Sequence, residues 1–356
     1  EGIAPIHHQG GDRWRPTWKP WPDETITINL SRPMGVEGAT RTIDHAALTL
    51  HPGKRATDTT LEFRLRSSQG GQHEITLPQA AQLLTVKIDE KSQPIRQENT
   101  KVSLPVHPGI QAYLLEWRQE QGIHAQWQTP AVDLGLPSVN AEIQVYMPQD
   151  RWILFATGPK LGPGVLFWGE LLVILLVALV LGRLQDYSPL RTVAWLLLGV
   201  GLSQVSIWSG ALVVATFFAF GYRQRVSPQQ ISGSFNALQV GLVLLSVLTL
   251  ATLFWVVEQG LLGLPQMQIS GNGSSAYQLN WYQDRANARL PVATVYSVPL
   301  LIYRFLMLAW ALWLAFSLLG WIKWAWQAFS HNGRWIEIKL ALPKRRRLKK
   351  HAAPKP

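Results

Sequence analysis

The sequence predicts a mixed architecture: an N-terminal antiparallel β-sandwich followed by an α-helical transmembrane bundle of five helical segments, the second and third forming a short hairpin. Three observations predict it. Residues 192–222 run for 31 positions without a charged side chain, and three further apolar blocks flank that run. The first 163 residues instead alternate short apolar and polar steps between turn residues. Charge divides at the same place. That half holds 16 Lys and Arg against 17 Asp and Glu and the remainder 17 against 5, so nearly all of the net +11 belongs to the apolar half.

Taken in order, residues 1–24 read as an extended arm or linker, because Trp14, Trp18 and Trp21 are interleaved there with Pro16, Pro20 and Pro22. No signal-like apolar stretch precedes the β region, so its export requires a cleaved leader or a larger parent chain.

Residues 25–158 form the predicted sandwich. β-type runs recur at 25–30, 47–50, 59–66, 73–77, 83–88, 102–106, 111–117, 124–128 and 141–147. Leu61-Glu62-Phe63-Arg64-Leu65-Arg66 alternates cleanly, as a strand with one buried face does. His51-Pro52-Gly53 and His107-Pro108-Gly109 each separate two such runs, a type II turn pattern in which the histidines are turn residues and not metal ligands. The chain has no cysteine, and a region of this size buries an adequate core without cross-links.

Residues 159–328 form the predicted transmembrane domain, entered through the hinge Gly158-Pro159-Lys160-Leu161-Gly162-Pro163-Gly164. Its apolar blocks are 164–182, 192–222, 237–257 and 297–322, and about 20 apolar residues suffice to cross a bilayer core. The second block is too long for one straight crossing, and its middle, Ser203-Gln204-Val205-Ser206-Ile207-Trp208-Ser209-Gly210, is polar. It therefore reads as a helical hairpin, 193–206 and 208–222, with one long tilted helix as the alternative. The loop 258–296 reads as a second β element, a hairpin of 266–270 and 277–282 across Gly271-Asn272-Gly273, packed on the sandwich.

Residues 329–356 form a basic tail with Lys344, Arg345, Arg346, Arg347, Lys349 and Lys350. A hairpin at 192–222 puts this cluster on one side with Arg183, Arg191, Arg223 and Arg225, as the positive-inside rule expects of a cytoplasmic face. The β region then faces the opposite, periplasmic side. The expected partners are the bilayer, anionic lipid headgroups at the tail, and an envelope protein at the β region, with no nucleic acid.

Glu170 and Arg304 are the ionisable residues within the outer halves of the apolar blocks, and Gln204 is the amide at the hairpin bend. Intramembrane ionisable groups are functional candidates by default. Glu170 and Arg304 form either a salt bridge between the first and last helices or two separate groups, the arginine snorkelling and the acid facing a watery cleft. No nucleophile elbow, phosphate loop or H-E-x-x-H helix occurs, so neither catalytic residues nor a cofactor are assigned.

Asp150-Arg151-Trp152 through Gly162-Pro163, Trp195 through Val205, and Tyr303-Arg304 through Trp313 resemble a set of bacterial inner-membrane proteins with a periplasmic β-rich region and no assigned activity. The resemblance implies location and topology. The function expected is a non-enzymatic membrane protein whose β region binds or positions an envelope partner. The alternatives are a transporter or channel component using Glu170, Arg304 and Gln204, or the membrane-anchoring part of a larger envelope enzyme.

Overall fold

A computed structural model describes residues 6–10, 13–18, 21–25, 27, 40–226 and 234–336. Two compact units are present, Glu1–Thr40 and Arg41–Pro356. In the first, β1 (Ile6–Gly10) pairs antiparallel with β2 (Arg13–Thr17). An antiparallel strand pair thus stands where the sequence suggested only an extended arm. The strand expected at 25–30 lies largely outside the described residues.

The second unit opens with a β-rich region. Its strands are β3 (Arg41–Pro52), β4 (Thr57–Ser67), β5 (Gly71–Thr76), β6 (Ala81–Ile88), β7 (Lys91–Ser92), β8 (Gln97–Glu98), β9 (Lys101–Val106), β10 (Gly109–Gln119), β11 (Gln126–Gln128), β12 (Ser138–Tyr146), β13 (Arg151–Thr157), β14 (Gly164–Val165), β15 (Ile269–Ser270), β16 (Gln278–Ala286) and β17 (Thr294–Pro299). The main sheet has the order β16-β12-β3-β4-β10-β6-β7; smaller sheets are β5-β9-β8, β11-β17-β13 and β14-β15. Period-two patterning sets the faces. On β4, Leu61, Phe63 and Leu65 are buried while Glu62, Arg64 and Arg66 are exposed, and Phe63 stacks on its cross-strand partner Tyr113 at 4.9 Å. A single apolar core draws on the main sheet and the smaller sheets together, through Leu61, Leu115, Ile75, Leu104, Trp281 and Val295. The pairing is mostly antiparallel, but β12 runs parallel to β3, which departs from a purely antiparallel arrangement.

The loop 258–296 is not a separate hairpin. β15 pairs with β14, β16 adds to β12 at the edge of the main sheet, and β17 lies between β11 and β13. The reason is burial: Leu279, Trp281 and Val295 belong to the common core, which a free hairpin would leave in solvent. β17 also corrects the start of the last apolar block. The residue before a proline is biased away from helical backbone, so Val298 stays extended and the helix begins after Pro299.

Five helices follow: α1 (Phe167–Arg183), α2 (Thr192–Leu202), α3 (Ile207–Arg225), α4 (Phe235–Leu262) and α5 (Leu300–Ser330). The uncharged run breaks at Ser203–Ser206, so it is two helices. α3 returns to the end where α2 began, since Arg225 donates to the Asp186 carbonyl at 2.9 Å. α4 has 28 residues and α5 has 31, and both are apolar enough to cross a membrane. α1 has 17 residues and α2 has 11.

The helices bury an apolar cluster that includes Leu198, Val213, Leu253 and Leu314, and they also expose many apolar side chains. Val173, Leu176 and Val180 of α1, Leu244, Val247 and Phe254 of α4, and Phe305, Leu312 and Phe316 of α5 are exposed. Thr216, Thr249, Gln239 and Arg223 are buried, with the Thr216 and Thr249 hydroxyls 2.6 Å apart. Small and polar residues at helix contacts let helix backbones approach closely.

Gly201 is such a residue. A Cβ there would lie 1.9 Å from Trp310 Cζ2, and Trp310 donates its indole N–H to the Leu197 carbonyl at 2.7 Å. Gly201→Val is expected to prise α2 from α5 and lower thermal stability in detergent by about 1–3 kcal/mol, the usual cost of overpacking. Gly210→Val, where a Cβ meets nothing within 4 Å, is the control and should leave the melting temperature within a degree or two.

Candidate functional site

The end of the helices next to the β region is held by β13 and β17. Arg151 on β13 is buried. It donates to Ser297 Oγ at 3.0 Å, to the Ser297 carbonyl at 2.8 Å and to the His124 carbonyl at 2.7 Å. Burial pushes its pKa down and Asp150 opposes that only in part; the carbonyl and hydroxyl acceptors satisfy the guanidinium where no carboxylate does. The Leu300 N–H, the first of α5, donates to the Asp150 carbonyl at 2.8 Å. Trp152 packs edge-on against Phe167 of α1 and Tyr303 of α5, at 5.9 and 5.4 Å, and Trp168 of α1 donates to the Leu154 carbonyl at 2.8 Å. Two helices are therefore tied to one strand.

Glu170, Arg304 and Gln204 all lie at this end. Glu170 is half-buried in the first turn of α1, where an acidic side chain complements the helix dipole. Arg304 is exposed on α5 and faces an open cleft of about 440 Å³ bordered by Gln149, Asp150, Leu264, Pro299 and Leu301. Gln204 accepts from the Gln266 N–H at 3.2 Å and donates to Ser203 Oγ at 3.3 Å, tying the α2–α3 bend to the segment before β15. No hydrogen bond or ion pair among the described residues links any two of the three. Glu170 and Arg304 thus form no salt bridge among the described residues, and the open cleft lies at the arginine and not at the acid.

The opposite end contains a site that sequence reasoning missed. Arg223, placed among the surface charges by its position after an apolar run, is completely buried at 0% exposure. Its guanidinium donates to the carbonyls of Phe329, His331 and Gly333 at 3.2, 2.8 and 2.8 Å, and to Gln239 Oε1 at 3.3 Å. It lies over the Phe235 ring at 4.6 Å. Gln239 donates to the Phe329 and Arg334 carbonyls, at 3.1 and 2.9 Å. Asn236 exchanges two bonds with the Ile336 backbone, at 2.9 and 3.0 Å. Together α3 and α4 clamp the chain as it leaves α5. Lys344, Arg345, Arg346, Arg347, Lys349 and Lys350 lie outside the described residues.

In the β region, a polar cleft of about 440 Å³ is lined by Arg41, His73, Glu74, Thr76 and Asp133. His73 is buried and its Nε2 has no hydrogen-bond partner among the described residues. Burial lowers its pKa, the Arg41 charge adds to that, and a backbone hydrogen bond with Leu134 opposes it. The imidazole is thus neutral in the fold and takes up a proton more readily when unfolded. Stability contributed by the neutral form is present above the unfolded pKa of about 6.5 and falls as pH drops below it. The β region should melt earlier at pH 5 than at pH 7.5, and His73→Gln should flatten that dependence in a circular-dichroism series. No group of three or more His, Asp or Glu among the described residues is placed to hold a metal ion.

No protein-family model and no curated protein matches this chain. Among solved structures, it is similar to M1 zinc metallopeptidases from Deinococcus radiodurans. One is a mutant bound to a Tyr-ser-ala substrate, at 11% identity over 34% of this chain and 35% of that one, with a TM-score of 0.26. Another is the M1 zinc metallopeptidase without a stated ligand, at 12% identity over 35% of each chain, again with a TM-score of 0.26. The match spans about a third of the length of either structure, and similarity at this level assigns neither fold nor activity.

Proposed function

We propose that this chain is a multi-pass inner-membrane protein that holds a β platform against the periplasmic surface for an envelope partner to dock on. The observation that carries it is the continuous junction: β17 ends at Pro299 and α5 begins at Leu300 with no residue between them, and Arg151 and Trp152 lock that strand and α1 to β13. A domain meant to swing freely would be separated by a flexible linker. A platform meant to present a surface at fixed height and angle requires such a joint. The sheets sharing one core are the sandwich-like body of the platform.

Charge supports the orientation. Arg183, Arg191, Arg223 and Arg225 all fall at the helix ends away from the β region. Between α4 and α5, on the other side, stand Arg285 and Arg289 with Asp284. That asymmetry is the positive-inside pattern. In this threading α2 and α3 are a hairpin whose bend, with Trp208 and Ile207 exposed at 80% and 83%, lies at the periplasmic headgroups. Aromatic side chains are favoured at that depth.

Since the chain has no cysteine, single thiols report sidedness without background. Tyr187→Cys and Lys350→Cys should be labelled only after the cytoplasmic membrane is permeabilised, and Asn272→Cys in intact spheroplasts. Labelling of Asn272→Cys and Lys350→Cys from the same side would overturn the topology. The docking role is tested by crosslinking from the main sheet in intact cells; a chain that crosslinks to nothing but itself would remove the role while leaving the topology intact.

A further inference from the structure

We infer that the cleft between β13 and α5 is a binding site for the headgroup of a phospholipid bearing a primary amine, with Arg304 taking the phosphate and Asp150 the ammonium. The inference rests on the membrane reading above and names what occupies one place within it.

Arg304 carries the argument. From Leu300 to Trp326, α5 has only two charged side chains, Arg304 and Lys323. Arg304 has no hydrogen bond or ion pair among the described residues. It is the fifth residue of α5, and a cation near a helix N-terminus gains nothing from the dipole. Glu170 suits its own position at the start of α1; Arg304 does not. A guanidinium at headgroup depth, unpaired within the protein and open to a cleft of about 440 Å³, is suited to a planar, two-oxygen anion such as a phosphodiester.

The rest of the cleft narrows the ligand. Asp150 lines it, and its carboxylate pairs with Lys54 at 3.0 Å, the two side chains being 49% and 81% exposed. A pair that open to solvent is weak and exchanges readily for another ammonium. Gln149 adds an amide at the same rim, while Leu264 and Leu301, 49% and 60% exposed, continue the cleft into the apolar surface of α5. One cation, one carboxylate and an apolar exit match a zwitterionic headgroup whose amine donates hydrogen bonds, with the acyl chains leaving along Leu301. A choline headgroup has no N–H to give Asp150. A glycerol headgroup brings no cation.

The test is native mass spectrometry of the full chain in detergent, equilibrated with equal amounts of palmitoyl-oleoyl phosphatidylethanolamine, phosphatidylcholine and phosphatidylglycerol. The wild type should retain the ethanolamine lipid over the choline lipid by about tenfold, the yield of one charge-assisted hydrogen bond. Asp150→Asn should erase that preference while keeping the phosphatidylglycerol adduct. Arg304→Gln should lose all adducts, and Arg304→Lys should restore them in part. Equal retention of the ethanolamine and choline lipids by the wild type, or an unchanged preference in Arg304→Gln, overturns the site. Excess free phosphoethanolamine should fail to displace the lipid; displacement would overturn the lipid source in favour of a soluble phosphate ester. Carbonate extraction of the native membranes separates the two readings. A chain released by carbonate defeats the membrane assignment itself, whereas a retained chain without lipid preference defeats only this site.

Discussion

Arg223→Ala is expected to release the end of α5 and to be among the most destabilising single substitutions in the helical part of the chain. The last four carbonyls of any helix lack intrahelical donors, and a cation at a helix C-terminus both caps them and complements the dipole. Here one guanidinium serves Phe329, His331 and Gly333 at once and also holds Gln239. Alanine removes those donors and leaves a cavity beneath the Phe235 ring. Each buried acceptor left without its donor costs about 1–3 kcal/mol. Limited proteolysis should show new cleavage between 329 and 336, and the melting temperature in detergent should fall sharply. Arg223→Lys should be intermediate, because a compact ammonium has three donors and cannot span all the acceptors. Arg225→Ala is the control. Its side chain is exposed, donates to the Asp186 carbonyl and stacks on Tyr187, so its loss should cost under about 1 kcal/mol. An Arg223→Ala protein with the stability and protease resistance of wild type would show that the clamp holds nothing.

The same residue marks the limit of what the sequence discloses. The five helices are legible because they depend on local composition: length without charge, and a polar break at Ser203–Ser206. Alternation likewise exposes β4, β10 and β12 directly. Arg223 was visible as a charge ending an apolar run, and such charges are ordinarily solvated at an interface. Its carbonyl partners lie 106 to 110 residues away, so no local signal distinguishes it from Arg225 two positions on. The strands after α4 failed for a related reason. The loop 258–296 reads as a local hairpin packed on the sandwich, whereas β16 and β17 complete sheets whose other strands lie more than 120 residues earlier, and pairing across that separation leaves no periodic trace. Glu170 and Arg304 are visible in the sequence as charges within apolar runs, but a charge's position along a helix does not determine which way the helix is turned. The structure sends one to the dipole of α1 and the other to a cleft.

Arg151→Met is expected to uncouple the β platform from α5 without removing the chain from the membrane. Methionine has nearly the length of the arginine stem and no donors, so packing is largely kept while the Ser297 carbonyl, Ser297 Oγ and the His124 carbonyl lose their partner. Each buried acceptor left unsatisfied costs about 1–3 kcal/mol, and these converge on the strand that continues into α5. β17 stays paired with β11 and β13 on its two sides, and the register to β13 shifts between Ile153 and Phe155, so the effect is expected to be local. Hydrogen exchange should quicken across 294–300 and remain slow in β4 and β10, whose pairing is unbroken over eleven registers. Ser297→Ala, which removes a single acceptor, should have a smaller effect in the same direction. If the joint exists to fix the platform for a partner, Arg151→Met should retain membrane fractionation and lose crosslinking from the main sheet. Loss of crosslinking without faster exchange at 294–300 would mean that Arg151 acts by another route, and retention of both would mean that docking does not depend on a rigid joint.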